Sequence, residues 1–185
     1  MTDEALRGYE VPEECAARAR RIRLVAFDVD GVMTDGSLFL GDDGQEYKAF
    51  NSLDGHGLKM LRRSGVELAI ITGRTSQVVA KRAANLGIPY LYQGIEDKLE
   101  AWQELLAQLK LAPQDCAFMG DDVVDLPVLR RCGLALSVPA APELVQRHAH
   151  YVTRLGAGRG AVREVCELIM RVQGTLDAQL APYLK

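Results

Sequence analysis

Ile22-Arg23-Leu24-Val25-Ala26-Phe27 is an apolar run broken by a single arginine, and Asp28-Val29-Asp30-Gly31 follows it without a spacer. A short run of this composition, closed by glycine, reads as a buried strand. Its end is a costly place for two carboxylates, because an unpaired charge withdrawn from water costs several kcal/mol. A divalent cation removes that cost, and oxygen ligands suit magnesium. Asp28 or Asp30 on its own could merely cap a turn. Asp121, at the end of another apolar run (116–119), supplies a third carboxylate and weakens that reading.

Beyond this strand, apolar runs alternate with helical patterns. The segments 37–40 and 45–50 flank the turn signal Gly41-Asp42-Asp43-Gly44 and predict a β-hairpin. Leu58 and Leu61 mark a short helix ending near Ser64-Gly65, and 67–71 is the next strand. A helix over 76–86 carries Val79, Ala83 and Leu86 on one face and stops at Gly87. After a short strand at 90–92, Leu99, Trp102, Leu105, Leu106 and Leu109 recur at helical spacing over 98–109, as core packing. Further helices are predicted at 126–132 and 142–148, strands at 134–138 and 151–152, and a last helix after the glycines at 156, 158 and 160. Strands separated by helices imply parallel pairing with right-handed crossovers, hence a three-layer, Rossmann-like α/β fold. Ligands of such folds gather at the carboxyl ends of the strands. Asp28 and Asp30, Thr72-Gly73-Arg74 and Asp121-Asp122 all follow strand ends. The expected organisation is an N-terminal extension (1–21), one domain (22–172) and a C-terminal tail (173–185).

The chain has 185 residues, enough for one domain with a core and short for two. Its formal charge of -3 gives no reason to expect a nucleic-acid or anionic-membrane partner. No apolar run approaches the length of a membrane span, and the polar, acidic first ten residues lack the pattern of a signal peptide. A cytoplasmic location is expected. Cys15, Cys116, Cys132 and Cys166 form no CxxC pair, and Cys116 and Cys166, in apolar stretches, read as small core residues of a reducing compartment, so a zinc site is not expected. Arg18, Arg20 and Arg21 suggest the solvated face of a short polar helix, and His148 and His150 surface positions near a helix end.

Lys98, at a helix start, can bring a point charge to a phosphate, and Thr72 and Gly73 can offer it a hydroxyl and a backbone N–H. Taken singly, Lys98 reads as a solvated lysine and Thr72 as a turn residue. Together, in order, Asp28-Val29-Asp30-Gly31-Val32, Thr72-Gly73-Arg74, Lys98, and Gly120-Asp121-Asp122 with Asp125 resemble the four motifs of the haloacid dehalogenase superfamily. The resemblance implies covalent catalysis, with Asp28 as nucleophile and Asp30 as general acid and base. It implies Mg2+ near Asp28, Asp30 and Asp121, a phosphate site at Thr72, Gly73 and Lys98, and supporting roles for Asp122 and Asp125. A carboxylic acid at position 30 suits a phosphate ester, whose alcohol leaving group needs a proton, and so favours a phosphatase or phosphomutase.

Neither interval that usually carries a cap domain has room for one; only the hairpin and a short helix follow Asp30. The hairpin's apolar residues Leu38, Leu40, Tyr47 and Phe50 call for burial, so neighbouring subunits are expected to cover the site as a homo-oligomer. Within that superfamily the chain more closely resembles the capless branch that dephosphorylates 3-deoxy-D-manno-octulosonate 8-phosphate (KDO 8-phosphate). The residues carrying this are Asp28 to Gly36, Lys48-Ala49-Phe50-Asn51, Asp54-Gly55, Ala69 to Arg74, Leu91 to Gly94, Tyr151 to Arg154 and Gly158 to Cys166. The resemblance implies a tetramer that shares active sites through the hairpin and tail. By matching position, Arg74 and Arg82 would clamp the carboxylate of a sugar acid phosphate, with Asn51, Asp54 and Gly55 shaping the sugar pocket. His56 would be a pocket-wall residue, and Lys59 has no assigned role. The loop 156–160 either closes over a neighbour's site or is a plain turn. Alternatives are a phosphatase of a nine-carbon sialic-acid-type phosphate and a non-catalytic partner of a nucleotidyltransferase.

Overall fold

A computed structural model describes residues 11–185; the first ten residues of the expected extension lie outside the described residues. The elements are α1 (Glu13–Ala19), β1 (Leu24–Phe27), β2 (Phe39–Leu40), β3 (Glu46–Tyr47), α2 (Ser52–Arg63), β4 (Glu67–Ile71), α3 (Gln77–Leu86) and β5 (Tyr90–Tyr92). They continue with α4 (Lys98–Leu109), β6 (Cys116–Met119), a 3-10 turn (Val123–Asp125), α5 (Leu126–Leu129), β7 (Leu134–Ser137), α6 (Glu143–Gln146), β8 (Tyr151–Val152), α7 (Ala161–Val172) and α8 (Leu176–Leu180).

Six strands form one sheet in the order β5-β4-β1-β6-β7-β8, and every neighbouring pair is parallel. Helices cover both faces, giving the three layers expected. Burial on both faces explains why β1 is apolar throughout: Leu24 to Phe27 are all inaccessible, and Ala26 lies between Ala69 of β4 and Phe118 of β6. After β1 the chain builds outward to β4 and β5, then crosses back to β6 on the other side. The crevice at that reversal, beyond the carboxyl ends of β1 and β6, is where such sheets bind ligands.

Helix α2 is longer than its sequence suggests. Asn51 caps it, accepting from Leu53 N at 2.8 Å and Asp54 N at 3.3 Å, so it starts well before Leu58. Gly55 and Gly57 lower its intrinsic propensity but permit close packing: a Cβ on Gly57 would sit 2.7 Å from Arg163 Cδ on α7. Helix α1, expected as a polar helix ahead of the domain, buries Cys15, Ala16 and Ala19 and packs against α7. Helix α4 is capped by Asp97 and sets Trp102 edge-on against Phe118 of β6. His150 is not a free surface residue; its Nδ1 accepts from Ala135 N at 2.8 Å, at the start of β7.

The hairpin β2–β3 forms as expected, but its apolar side chains do not find burial within this chain. Leu40 is 64% exposed and Tyr47 61%, with Leu38 and Phe39 close behind, whereas Phe50 at its base packs on the core.

Candidate active site

Asp28 continues the β1 ladder by one residue, its N–H donating to Met119 O at 2.9 Å, which brings its carboxylate to the end of β6. Gly31 makes room there for Asp121. Its φ is +89°, and a Cβ would lie 2.0 Å from Asp121 Oδ2, so no side chain fits. Asp28, Asp121 and Asp125 consequently present carboxylate oxygens all within 4.8 Å of one another. Lys98, the first residue of α4 and almost fully buried, reaches between two of them. Its Nζ lies 2.6 Å from Asp125 Oδ1 and 3.1 Å from Asp28 Oδ1.

The three carboxylates differ in what remains free. Asp125 is fully buried and engaged on both oxygens, with Oδ1 on Lys98 and Oδ2 accepting from Asp121 N at 3.0 Å and Asp122 N at 3.2 Å. It positions the 120–122 loop and Lys98. Asp122 is exposed and caps the turn, accepting from Val123 N at 2.7 Å. Asp28 Oδ1 and Asp121 Oδ1 are buried with no hydrogen-bond partner, although the Asp28 oxygen keeps its ion pair with Lys98. Burial pushes the Asp28 carboxyl up to about 6 against the pull of Lys98, with Asp125 adding to the rise. Burial, then Asp28 and Asp125, push Asp121 up to about 7. Burial works against the Lys98 ammonium, but Asp28 and Asp125 outweigh it and hold its pKa above the usual value. Two orphaned carboxylate oxygens beside one lysine fit a hard divalent cation, which satisfies both and reverses both shifts.

Asp30 stands apart from this cluster. Its carboxylate faces the hairpin, with Lys48 Nζ 2.5 Å from Oδ1 and Arg74 Nε 3.8 Å from Oδ2. The Asp30 side chain, expected near the metal alongside Asp28 and Asp121, is held by the hairpin cations and is not among the clustered carboxylates. Thr72 is buried at the end of β4, bonded through its backbone to Tyr92 O and Ile95 N, and Gly73 follows it at the exposed rim. Arg74 is half exposed and also lies 3.5 Å from Glu46 Oε1. The sequence assigns no catalytic role to Lys48, which enters only within the stretch Lys48 to Asn51, or to Glu46, since a lysine and a glutamate on a short exposed hairpin look solvated. Only their burial distinguishes them. A hydrogen bond with Ser76, helped by Lys48 and Arg74, keeps Glu46 below the usual carboxylate range despite burial.

The expected sugar-pocket residues divide. Arg82 stacks its guanidinium 5.5 Å above the Phe50 ring and donates to Asn51 O at 3.2 Å, while its buried Nε has no hydrogen-bond partner. Gly55 leaves the space for it, since a Cβ would lie 2.2 Å from Arg82 Nη2. Asp54 instead faces the start of α7, accepting from Arg163 N at 2.8 Å and Gly160 N at 3.4 Å. From α2 it braces the start of α7. His56 likewise faces the tail, its Nε2 3.0 Å from Tyr183 Oη, in a groove with Lys59, Arg62 and Arg63. It lines that groove and not the Asp28 crevice.

The loop 156–160 rests on this chain's own catalytic turn. Gly158 N donates to Val32 O at 3.1 Å, and a Cβ on Gly158 would lie 2.7 Å from Asp35 N. Glu164, which the sequence offers only as part of the stretch Gly158 to Cys166 and with no role of its own, is fully buried on α7 and accepts from Tyr151 Oη at 2.6 Å, Arg154 N at 3.0 Å and Leu155 N at 3.0 Å. It anchors the approach to the loop.

Comparison with known proteins agrees with this geometry. Residues 38–133 match the model of the haloacid dehalogenase-like hydrolases. The chain is 48% identical over 167 residues to the KDO 8-phosphate phosphatase KdsC of Escherichia coli, covering 90% of this chain and 89% of that one. The crystal structure of KDO 8-phosphate phosphatase from Yersinia pestis superposes with a TM-score of 0.88 at 49% identity, covering 89% of each chain. The Moraxella catarrhalis enzyme, solved in complex with magnesium ion, phosphate ion and KDO, superposes with a TM-score of 0.91 at 44% identity, covering 93% of this chain and 99% of that one. An identity this high across nearly the whole length, on the same sheet, leaves no ambiguity of family: the chain belongs to the haloacid dehalogenase-like hydrolases and, within them, to the KDO 8-phosphate phosphatases.

Proposed function

We propose that this chain hydrolyses KDO 8-phosphate to KDO and inorganic phosphate, using Asp28 as nucleophile. The observation that carries the reading is the buried, orphaned Asp28 oxygen at the β1 end, flanked by Asp121 and Lys98. Asp28 and Asp121 would hold Mg2+, which when bound supplies positive charge at the phosphoryl oxygens. An Asp28 carboxylate oxygen bonds to phosphorus as the ester P–O bond breaks, and Asp30 delivers a proton to the departing sugar oxygen. Asp30 then takes a proton from the water that cleaves the aspartyl-phosphate, which frees phosphate and restores Asp28. Lys98, with Thr72 and Gly73 at the end of β4, stabilises the charge on the transferring group. The ion pair with Lys98 also keeps Asp28 ionised for attack, against the burial that raises its pKa.

Arg74 and Arg82 are the carboxylate-recognising groups of this reading. Both project near the hairpin base, and the guanidinium fork matches a sugar acid's carboxylate. The exposed apolar hairpin supports a homo-oligomer that completes each site, and the tetramer of this reading comes from the family resemblance. The four free, buried thiols suit a reducing cytoplasm. No helix among the described residues is long and apolar enough to cross a membrane.

Phosphate release from a panel of sugar acid phosphates tests the reading, with Asp28→Asn as control. KDO 8-phosphate is expected to be turned over best, and the mutant to lose at least about a thousand-fold in kcat. Retained activity in Asp28→Asn rejects the nucleophile, and equal turnover of nine-carbon 9-phosphates rejects the substrate.

A further inference from the structure

An ammonium is costly to bury unless it is paired. The Lys48 side chain is 1% exposed, although it stands one residue beyond a two-residue strand of a hairpin whose apolar side chains face solvent. Its compensation is Asp30, with Nζ 2.5 Å from Oδ1, together with Glu46, whose Oε1 is 3.1 Å away. Arg74 approaches the same two carboxylates, at 3.8 Å from Asp30 Oδ2 and 3.5 Å from Glu46 Oε1. Two cations and two carboxylates thus alternate at the root of the hairpin.

The two oxygens of Asp30 are consequently unequal. Oδ1 carries a direct charge-assisted hydrogen bond, while Oδ2 has only the longer approach of a half-exposed arginine. A proton donor acts only when its oxygen is within hydrogen-bond reach of the leaving oxygen, and small misplacements are costly. We propose that Lys48 is a positioning residue for the general acid and base: it pins Asp30 Oδ1, so that Oδ2 carries the transferred proton. The Oδ2 proton passes to the ester oxygen as the Asp28 O–P bond forms and the ester P–O bond breaks. In the second half Oδ2 accepts a proton from water as the Asp28 O–P bond is cleaved.

This inference rests on the acid–base role given to Asp30 above, and the test separates the two. Lys48→Met keeps most of the aliphatic stem and removes the charge. Its steady-state kcat on KDO 8-phosphate is expected to fall about 30-fold, with KM within about three-fold. With p-nitrophenyl phosphate, whose leaving group departs without a proton, the first-turnover release of nitrophenolate is expected to stay within about three-fold of the parent. Lys48→Arg, which retains the buried charge and so carries the test if Lys48→Met does not fold, is expected to show the same split with a smaller loss. Parallel loss on both substrates, or loss on neither, overturns the proposal. Asp30→Asn is assayed alongside: if it keeps KDO 8-phosphate turnover, the acid–base reading itself fails. If it loses turnover while Lys48→Met does not, only the role of Lys48 fails.

Discussion

The carboxylate cluster at the end of β1 and the hairpin that follows it are close in sequence but opposite in character. At the cluster, Asp28, Lys98, Asp121 and Asp125 come from separate strand and helix ends and meet below the surface, with Lys98 Nζ placed between two carboxylates. Nearly everything it needs comes from one chain, save a cation for two orphaned oxygens. The hairpin is the reverse. Its root is held by Lys48 and Glu46, but Leu38, Phe39, Leu40 and Tyr47 remain exposed. The clustered charges are thus organised by the fold of a single chain, whereas the apolar surface of the hairpin finds no cover within it.

Removing the lysine from the first region should have the largest effect. Lys98→Met leaves Asp28 and Asp125 without their cation, and kcat should fall roughly a thousand-fold in a phosphate-release assay. Without Mg2+ the variant should also lose about 3 kcal/mol or more of stability in denaturant titrations, partly restored by the metal. A variant as active as the parent would remove Lys98 from the site.

Changing the second region should leave the fold intact and alter the assembly. The double variant Leu40→Asp with Tyr47→Asp replaces two exposed side chains, so the Tm of the isolated protomer should hardly move. Light scattering should then report the 20.3 kDa protomer, and kcat/KM should drop roughly ten-fold. A parent chain that is already monomeric with full activity would erase the contrast between the two regions.

The smallest effect is electrostatic and confined to the first region. The folded-state pKa values of Asp28 and Asp121, about 6 and about 7, lie above those of an unfolded chain. Between roughly pH 4 and pH 7 the folded, metal-free protein therefore holds protons that the unfolded chain has released, and its stability falls as pH rises through that window. Because Mg2+ displaces those protons, the rise in Tm it produces should grow from about pH 5.5 to about pH 8. Thermal melts with EDTA or Mg2+ check this, and a metal-free Tm that climbs with pH would refute it.

Much of the first region is legible in the sequence. The apolar run into Asp28, the run into Asp121 and the helix starting at Lys98 are local patterns, and a parallel sheet brings strand ends to one edge. The second region is legible only as a turn signal flanked by apolar residues. That Lys48 is buried on Asp30, that Asp54 braces α7, and that Glu164 holds the approach to the glycine loop all depend on contacts between distant segments. The start of α2 escapes a sequence reading because its glycines look like breakers, and only the packing of α7 against them explains why a helix tolerates them.

Local sequence is enough to place the candidate groups: which carboxylates stand at strand ends, which lysine opens a helix, and that a second acid lies two residues beyond Asp28. These follow from periodicity and burial along a single element, which local composition encodes. Which charges meet is settled only in three dimensions. Asp30 parts from the metal cluster and joins Lys48, and Asp125 commits both its oxygens inside the fold. A pairing of that kind depends on sheet order and on approaches such as Asp121 over Gly31, which no single stretch of the chain records.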